Sequence, residues 1–375
     1  MIHGTSMRAL PLAFAATLIL AACGDTGPFF FDAGDTGPAD VGTSDTGEST
    51  PDAGGEDAGD PDTSTDAGGA DTGTADIGTT DTAEADAGTT DASTPDTSDP
   101  PDRAREAAVC ERWAALRAAT NEGTWSGNVG SCDAGDMDDA WRDRVLESVN
   151  THRFLADLPP VTRDAGRDAI AQDCALMMHA NDTLSHTPPP SWSCYTADGA
   201  DGAGSSNIAT APAMAAMDLY MVDFGNESTF GHRRWFLSNS LGPIGVGSTN
   251  RFSCHYVLGG AGAHDARWTA WPPPGPVPFE VMDPITSFDA PSVDEIGWTV
   301  QSDVVNLDGA TVTVTRGGET LPVEAWTLSP WFGSQYALAF RPDGWSSEAG
   351  ATYNVTVETA AETLAWSVRF VTCAE

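Results

Sequence analysis

The sequence predicts an α+β protein in three consecutive parts: a disordered acidic tether, a domain of helices followed by short strands, and an all-β sandwich. Three observations carry this. Composition changes abruptly near Asp102, the apolar period switches from helical to alternating along the folded part, and six cysteines lie beyond the tether.

Met7 and Arg8 precede an apolar stretch, Ala9 to Leu20, which ends in Leu20-Ala21-Ala22-Cys23. A positive start, a short apolar run and small residues before the cut predict a signal peptide over 1–22. The run is too short to span a bilayer as a stable helix. Its last four residues resemble the bacterial lipobox, which implies lipidation of Cys23 and anchorage in the cell envelope, at the outer membrane or cell surface. An ordinary signal that merely retains Cys23 is the alternative.

Residues 23–104 read as the tether. Between Gly24 and Asp102 there are 21 acidic residues and no Arg, amid Gly, Thr, Ala, Ser and Pro. Such a chain cannot bury enough apolar surface to offset its ordering entropy. A flexible segment of this length spans roughly 50 Å, and like charges extend it. Its repeated Asp-Thr-Gly and Asp-Ala-Gly triplets lack both the apolar strand an aspartic protease needs and the spacing of a calcium loop. The chain carries −38, of which about −17 falls outside this segment, and every cation is Arg. That surface repels phosphates, so nucleic acid is excluded as a partner; the membrane is reached only through the lipid on Cys23.

The six remaining cysteines are Cys110, Cys132, Cys174, Cys194, Cys254 and Cys373. In an exported chain an even set implies disulfides, with 15 connectivities open. Sequence proximity suggests Cys110–Cys132, Cys174–Cys194 and Cys254–Cys373. No Cys-x2-Cys pair supports a zinc cluster.

Residues 105–265 form the middle domain. Trp141, Val145, Leu146, Val149 and Phe154 repeat at helical spacing over 138–155. A second helix is predicted over 164–182, with Ala169, Ile170, Cys174, Met177 and Met178 on one face, and a third over 212–223, opening at Pro212. Strand-like runs follow at Ile244–Val246 and Phe252–Leu258. Helices first and strands after fit a layered α+β domain.

Five motifs in this domain carry a resemblance. Asn150-Thr-His-Arg153 with Leu158-Pro-Pro160, Leu184-Ser-His186, Ser206-Asn-Ile-Ala209, Gly231-His-Arg-Arg-Trp-Phe-Leu237 and Ile244-Gly-Val-Gly247 occur in order. Together they resemble the CAP superfamily, to which sperm-coating and plant pathogenesis-related proteins belong. The resemblance implies an α-β-α sandwich with a cleft holding two His and two acids. The histidines correspond to His186 and His232, and one acid to Asp223. The second acid is missing: Ser206 and Asn207 stand at the cleft where the family writes Gly-Glu-Asn. Two imidazoles and one carboxylate can still make a three-ligand site for zinc or another divalent metal with an open position for water, and the same three would then be the catalytic groups.

Thr187-Pro-Pro-Pro190 disfavours helix, so His186 is expected at or just past a helix C-terminus, and His232 is expected to open a helix. His152 and His179 read as helix-surface residues, Arg233 and Arg234 as ion-paired surface groups, and Trp235 and Leu237 as core. His255, in a strand, and His264, in a loop, show no partner pattern.

Residues 266–375 read as an immunoglobulin- or fibronectin-like sandwich. The run Trp271-Pro-Pro-Pro-Gly-Pro276 marks the boundary, since it fits neither a helix nor a central strand. Alternating runs follow at 297–300, 310–315, 321–325, 335–340, 353–357 and 364–371, separated by turns such as Arg316-Gly-Gly318. Trp298, Trp326, Trp331, Trp345 and Trp366 are either core or a carbohydrate-stacking surface.

The function read from this is a cell-envelope protein whose middle domain binds an extracellular protein, glycan or lipid, with a divalent metal as an option of the cleft. Two alternatives stand: a metal-assisted peptidase or other hydrolase, and an adhesive protein with a vestigial cleft. No Gly-x-Ser-x-Gly elbow, phosphate loop or His-Glu-x-x-His helix is present, which argues against a conventional hydrolase.

Overall fold

The computed structural model describes residues 100–260, 262–285 and 290–373. The segment expected to be a signal peptide, Cys23 and nearly all of the expected tether lie outside the described residues. Helix α1 (Pro100–Ala118) begins inside the segment assigned to the tether. Val109, Trp113 and Leu116, at i, i+4 and i+7, bury one stripe of it.

The predicted helices form within a residue or two of their expected limits. In α2 (Asp139–Leu155) the Asp138 carboxylate accepts the Trp141 N–H at 2.7 Å, and in α3 (Ala165–Asn181) Asp164 accepts that of Arg167 at 2.9 Å. Then come α4 (Ala197–Ser205), strand β1 (Ser206–Ala209), α5 (Ala213–Val222), α6 (Gly231–Phe236), β2 (Gly245–Ser248) and β3 (Ser253–Tyr256).

The three strands make one antiparallel sheet in the order β1-β3-β2, pairing Asn207 with His255 and His255 with Val246. Helices α3 and α4 pack on one side, α2 and α5 on the other, giving three layers. Close approach of α3 requires glycine: a Cβ at Gly247 would lie 2.1 Å from the Ala171 carbonyl carbon. Polar side chains of α3 also satisfy the open edge of β2. Asp168 accepts the Val246 N–H, and the Gln172 amide exchanges hydrogen bonds with both backbone groups of Ser248.

The proline run is a passage between two edge strands. Strand β4 (Thr269–Trp271) precedes it and β5 (Gly275–Pro278) contains its end. Then follow α7 (Val293–Ile296), β6 (Trp298–Ser302), β7 (Thr311–Arg316), β8 (Glu319–Leu321), β9 (Val323–Thr327), β10 (Tyr336–Pro342), β11 (Thr352–Glu358) and β12 (Thr363–Val371). They form a four-stranded sheet, β4-β6-β10-β9, and a five-stranded sheet, β5-β12-β11-β7-β8, in which β5 runs parallel to β12. The expected strand at 321–325 divides at Pro322, where the chain changes sheets. Gly317 and Gly318, at φ 58° and 87°, make the two-residue turn between β7 and β8.

Between the sheets, Trp298 meets Tyr353 and Phe370 edge-on. Trp298 and Trp366 are core, Trp326 and Trp345 are half-buried, and Trp331 is exposed. The tryptophans therefore form no shared stacking surface.

The cysteine pairing differs throughout from the sequence expectation. The bonds are Cys110–Cys373, Cys132–Cys194 and Cys174–Cys254, in place of Cys110–Cys132, Cys174–Cys194 and Cys254–Cys373. Cys174 faces inward from α3 onto β3, so its neighbour in space is Cys254. Cys110, on α1, meets the end of the chain just past β12. No helix among the described residues is long and apolar enough to cross a membrane.

Candidate functional site

Asp223 follows the last turn of α5 in a left-handed conformation, φ 62° and ψ 34°, which turns the chain sharply towards α6. Its side chain is fully buried. Oδ1 accepts from His232 Nδ1 at 2.8 Å and from Asn226 Nδ2 at 3.0 Å, and Oδ2 accepts from the Arg233 backbone N–H at 3.1 Å. The carboxylate therefore satisfies an otherwise unpaired N–H at the start of α6 while orienting the imidazole. With Nδ1 donating, Nε2 is the acceptor of the neutral ring.

His232 is the second residue of α6, as expected, and its side chain is 14% exposed. The ring of Tyr220 lies 4.8 Å from it and 5.3 Å from that of His255 on the other side. Asn207 donates to the His232 carbonyl at 3.1 Å, so it holds the backbone rather than the ring. Ser206 and Asn207 are both buried.

His186 is engaged elsewhere. Helix α3 ends at Asn181, earlier than the proline run suggested, and His186 Nδ1 lies 2.7 Å from the Ala203 carbonyl in the last turn of α4. The structure thus joins His232 to Asp223 and leaves His186 bonded to another helix end. Among the described residues no group of three or more His, Cys, Asp or Glu side chains could hold a metal ion. Asn226 and Tyr220 belong to the site without having been singled out in the sequence.

Arg233 and Arg234 are not surface groups. Both are buried. Arg233 donates to the Met221 and Val222 carbonyls at the end of α5 and to the Gly297 carbonyl beside β6. Arg234 donates to the carbonyls of Thr229, Ser329 and Ser334 and to the Ser334 hydroxyl. Burial lowers their pKa values to about 10 and about 9, so both remain cations at neutral pH. The short helix that carries His232 is thereby fastened to the sandwich. Leu237 is core as expected, and Trp235 is half-buried.

His152 is also buried, because α1, which escaped the sequence reading, covers that face of α2. Its Nδ1 lies 2.8 Å from the Ser148 carbonyl, and its ring meets Trp113 and Trp271. His179 is half-buried against Trp125 and Phe252. His255 is completely buried, and neither ring nitrogen has a hydrogen-bond partner among the described residues.

Desolvation holds His152 and His255 neutral, lowering their pKa values to about 4 and about 3. The unfolded chain binds both protons near pH 6.5. The contribution of the two neutral imidazoles is therefore fully present above that pH and is lost as pH falls, down to about 4 for His152 and about 3 for His255. His255→Leu should remove about one proton's share of this slope, roughly 1.4 kcal/mol per pH unit. Urea titrations of parent and variant at pH 7 and pH 5 measure it, and equal losses in both would refute the assignment. The comparison cancels the carboxyls of buried Asp168 and half-buried Glu122 and Asp218, which desolvation raises and which act in the opposite sense.

Asp223→Asn should destabilise the protein by about 1–3 kcal/mol, since an amide NH2 would oppose one of the three donors. Thermal melting measures this. An unchanged midpoint would mean that the three hydrogen bonds contribute nothing net.

A three-layered α-β-α domain with a carboxylate-oriented His is the class that fold and site define. Residues 146–257 match the family model described as CAP, the cysteine-rich secretory protein family. The match runs from the middle of α2 through β3, includes the five ordered motifs, and ends before the sandwich. No curated protein and no solved structure gives a significant match.

Proposed function

We propose that the chain is an exported lipoprotein of the cell envelope, fixed at Cys23, whose CAP domain binds an extracellular ligand through the surface at His232. The observation that carries this is the Asp223–His232 pair. A buried carboxylate holds the imidazole in one orientation, a directed hydrogen-bonding group suited to recognition.

A hydrolytic reading draws on the same pair, since a carboxylate-oriented imidazole can act as a general base. It lacks the remaining machinery. All six described cysteines are in disulfides, so no described thiol can be the nucleophile. A zinc-bearing version with His186, His232 and Asp223 fits poorly, because His186 and both Asp223 oxygens already have protein partners.

The C-terminal part supports an immunoglobulin-like reading as a spacer or adhesive module. Its sheet orders correspond to strands A-B-E-D in one layer, and to an A′ segment parallel to G followed by F, C and C′ in the other.

Two measurements test the proposal. Radiolabelled palmitate should enter the chain expressed in a bacterium and should not enter Cys23→Ser. The purified protein should hold substoichiometric zinc and show no peptide or ester hydrolysis above that of His232→Ala. One zinc per chain, or turnover lost in His232→Ala, would replace the binding reading with the metal or hydrolytic one.

A further inference from the structure

A second site lies away from His232. A cavity of about 380 Å³ opens between the turn after α2 and the loop before β2, walled by Pro159, Pro160, Thr162, Leu241 and Pro243, and Arg153 lines it. That volume falls within the range of small-molecule sites.

Arg153 is unusual among the buried arginines of this protein. Four are buried: Arg142, Arg153, Arg233 and Arg234. Arg142 pairs with Asp136 and lies near Asp168, and the charges of Asp223 and, for Arg234, also Asp303 act on the other two. No described acidic side chain acts on Arg153, and no described ion pair includes it. It is 1% exposed. Its Nε donates to the Pro159 carbonyl at 2.8 Å, and Nη1 to the carbonyls of Phe236 and Ser238 at 2.8 and 3.0 Å. Its Nη2, with two N–H groups, has no hydrogen-bond partner among the described residues.

A buried cation without a counter-charge is costly, and proteins offset that cost with a pairing anion. Neutral carbonyls satisfy three N–H groups here but bring no negative charge. The unmatched groups are one positive charge, the two Nη2 donors and one acceptor, Asn239 Oδ1, beside a cavity whose proline and leucine walls are joined by Asn239 and His264. We infer that this cavity binds a small organic carboxylate, its anionic head on Arg153 Nη2 and its short apolar body against Pro159, Pro160, Leu241 and Pro243. Because Nε and Nη1 are committed to backbone, the contact is made through one nitrogen rather than a two-nitrogen fork. This favours a singly charged carboxylate over a phosphate, whose charge is best matched by several donors.

Pentanoate is a suitable probe, with pentanamide as its uncharged isostere and inorganic phosphate as the competing anion. Isothermal titration of the intact mature chain at neutral pH should show pentanoate binding in the millimolar range, and pentanamide and phosphate binding at least about tenfold more weakly. Arg153→Ala removes three backbone hydrogen bonds and can unfold the domain. Thr162→Trp instead fills the cavity from an exposed position and leaves Arg153 intact. It should keep the parent melting temperature and weaken pentanoate binding by about tenfold or more. Equal binding of pentanoate and pentanamide, tighter binding of phosphate, unchanged affinity in Thr162→Trp, or no pentanoate binding at all would each overturn the inference.

Discussion

Replacing Cys110 and Cys373 together by serine should lower stability by about 5 kcal/mol, the largest loss expected from any one crosslink here. The bond joins residues 263 positions apart. Loop-closure entropy grows with the logarithm of loop length, so this bond restricts the unfolded chain most. Its location adds to the effect. Helix α1 closes the buried face of α2 around His152, and the disulfide fastens α1 to the end of β12, a link that a half-exposed ion pair, Arg369–Glu106 at 2.7 Å, repeats. For a folded part of this size the melting midpoint should fall by roughly 10–20 °C. Calorimetry of the double variant decides the matter, and a shift below about 3 °C would show that α1 is held by packing alone.

Arg234→Ala should cost on the order of 3–5 kcal/mol and weaken the coupling between the CAP domain and the sandwich. The carbonyls of Thr229 and Ser329 and the Ser334 hydroxyl lose the Arg234 donor at once, and the Ser334 carbonyl keeps only the Trp331 N–H, at 2.9 Å. Part of the loss is the desolvation of these part-buried acceptors, and the rest is the guanidinium's packing between the two domains. Arg234→Lys should restore little, because one ammonium cannot reach both sides of the planar fork. The backbone of Arg234 is tied as well, its carbonyl accepting from Gln301 Nε2 at 3.2 Å. Calorimetry should show the single transition of the parent separating into two. One unshifted transition would mean that the guanidinium is replaceable by water.

Much of the fold was legible because it is local. Asp138 and Asp164 are helix caps that can be read from residue type and position, and the apolar repeats of α2 and α3 follow from period alone. The alternation in β11 and β12, with Tyr353, Val355, Val357, Trp366, Val368 and Phe370 inward, is equally visible. Helix α4 was missed because Ala197–Ser205 holds three glycines and two aspartates and has weak helix propensity. The Asp223–His232 pair could be anticipated from the ordered motifs, whereas Asn226 and Tyr220 reach it only through the left-handed turn at Asp223 and the packing of α5.

By itself the sequence determined the order of the parts, the helix and strand periods, the acidic composition of residues 24–102 and the oxidation-prone cysteine set. Each of these depends on neighbours within a few positions or on composition. Tertiary structure alone decided which cysteines pair, that Arg233 and Arg234 are buried donors, that His152 is buried, and that Arg153 keeps a charge with no acid beside it. The physical reason is common to all four. In each case burial or partnership depends on residues some 40 to 260 positions away, and no local pattern encodes which distant ring, carbonyl or sulfur will arrive.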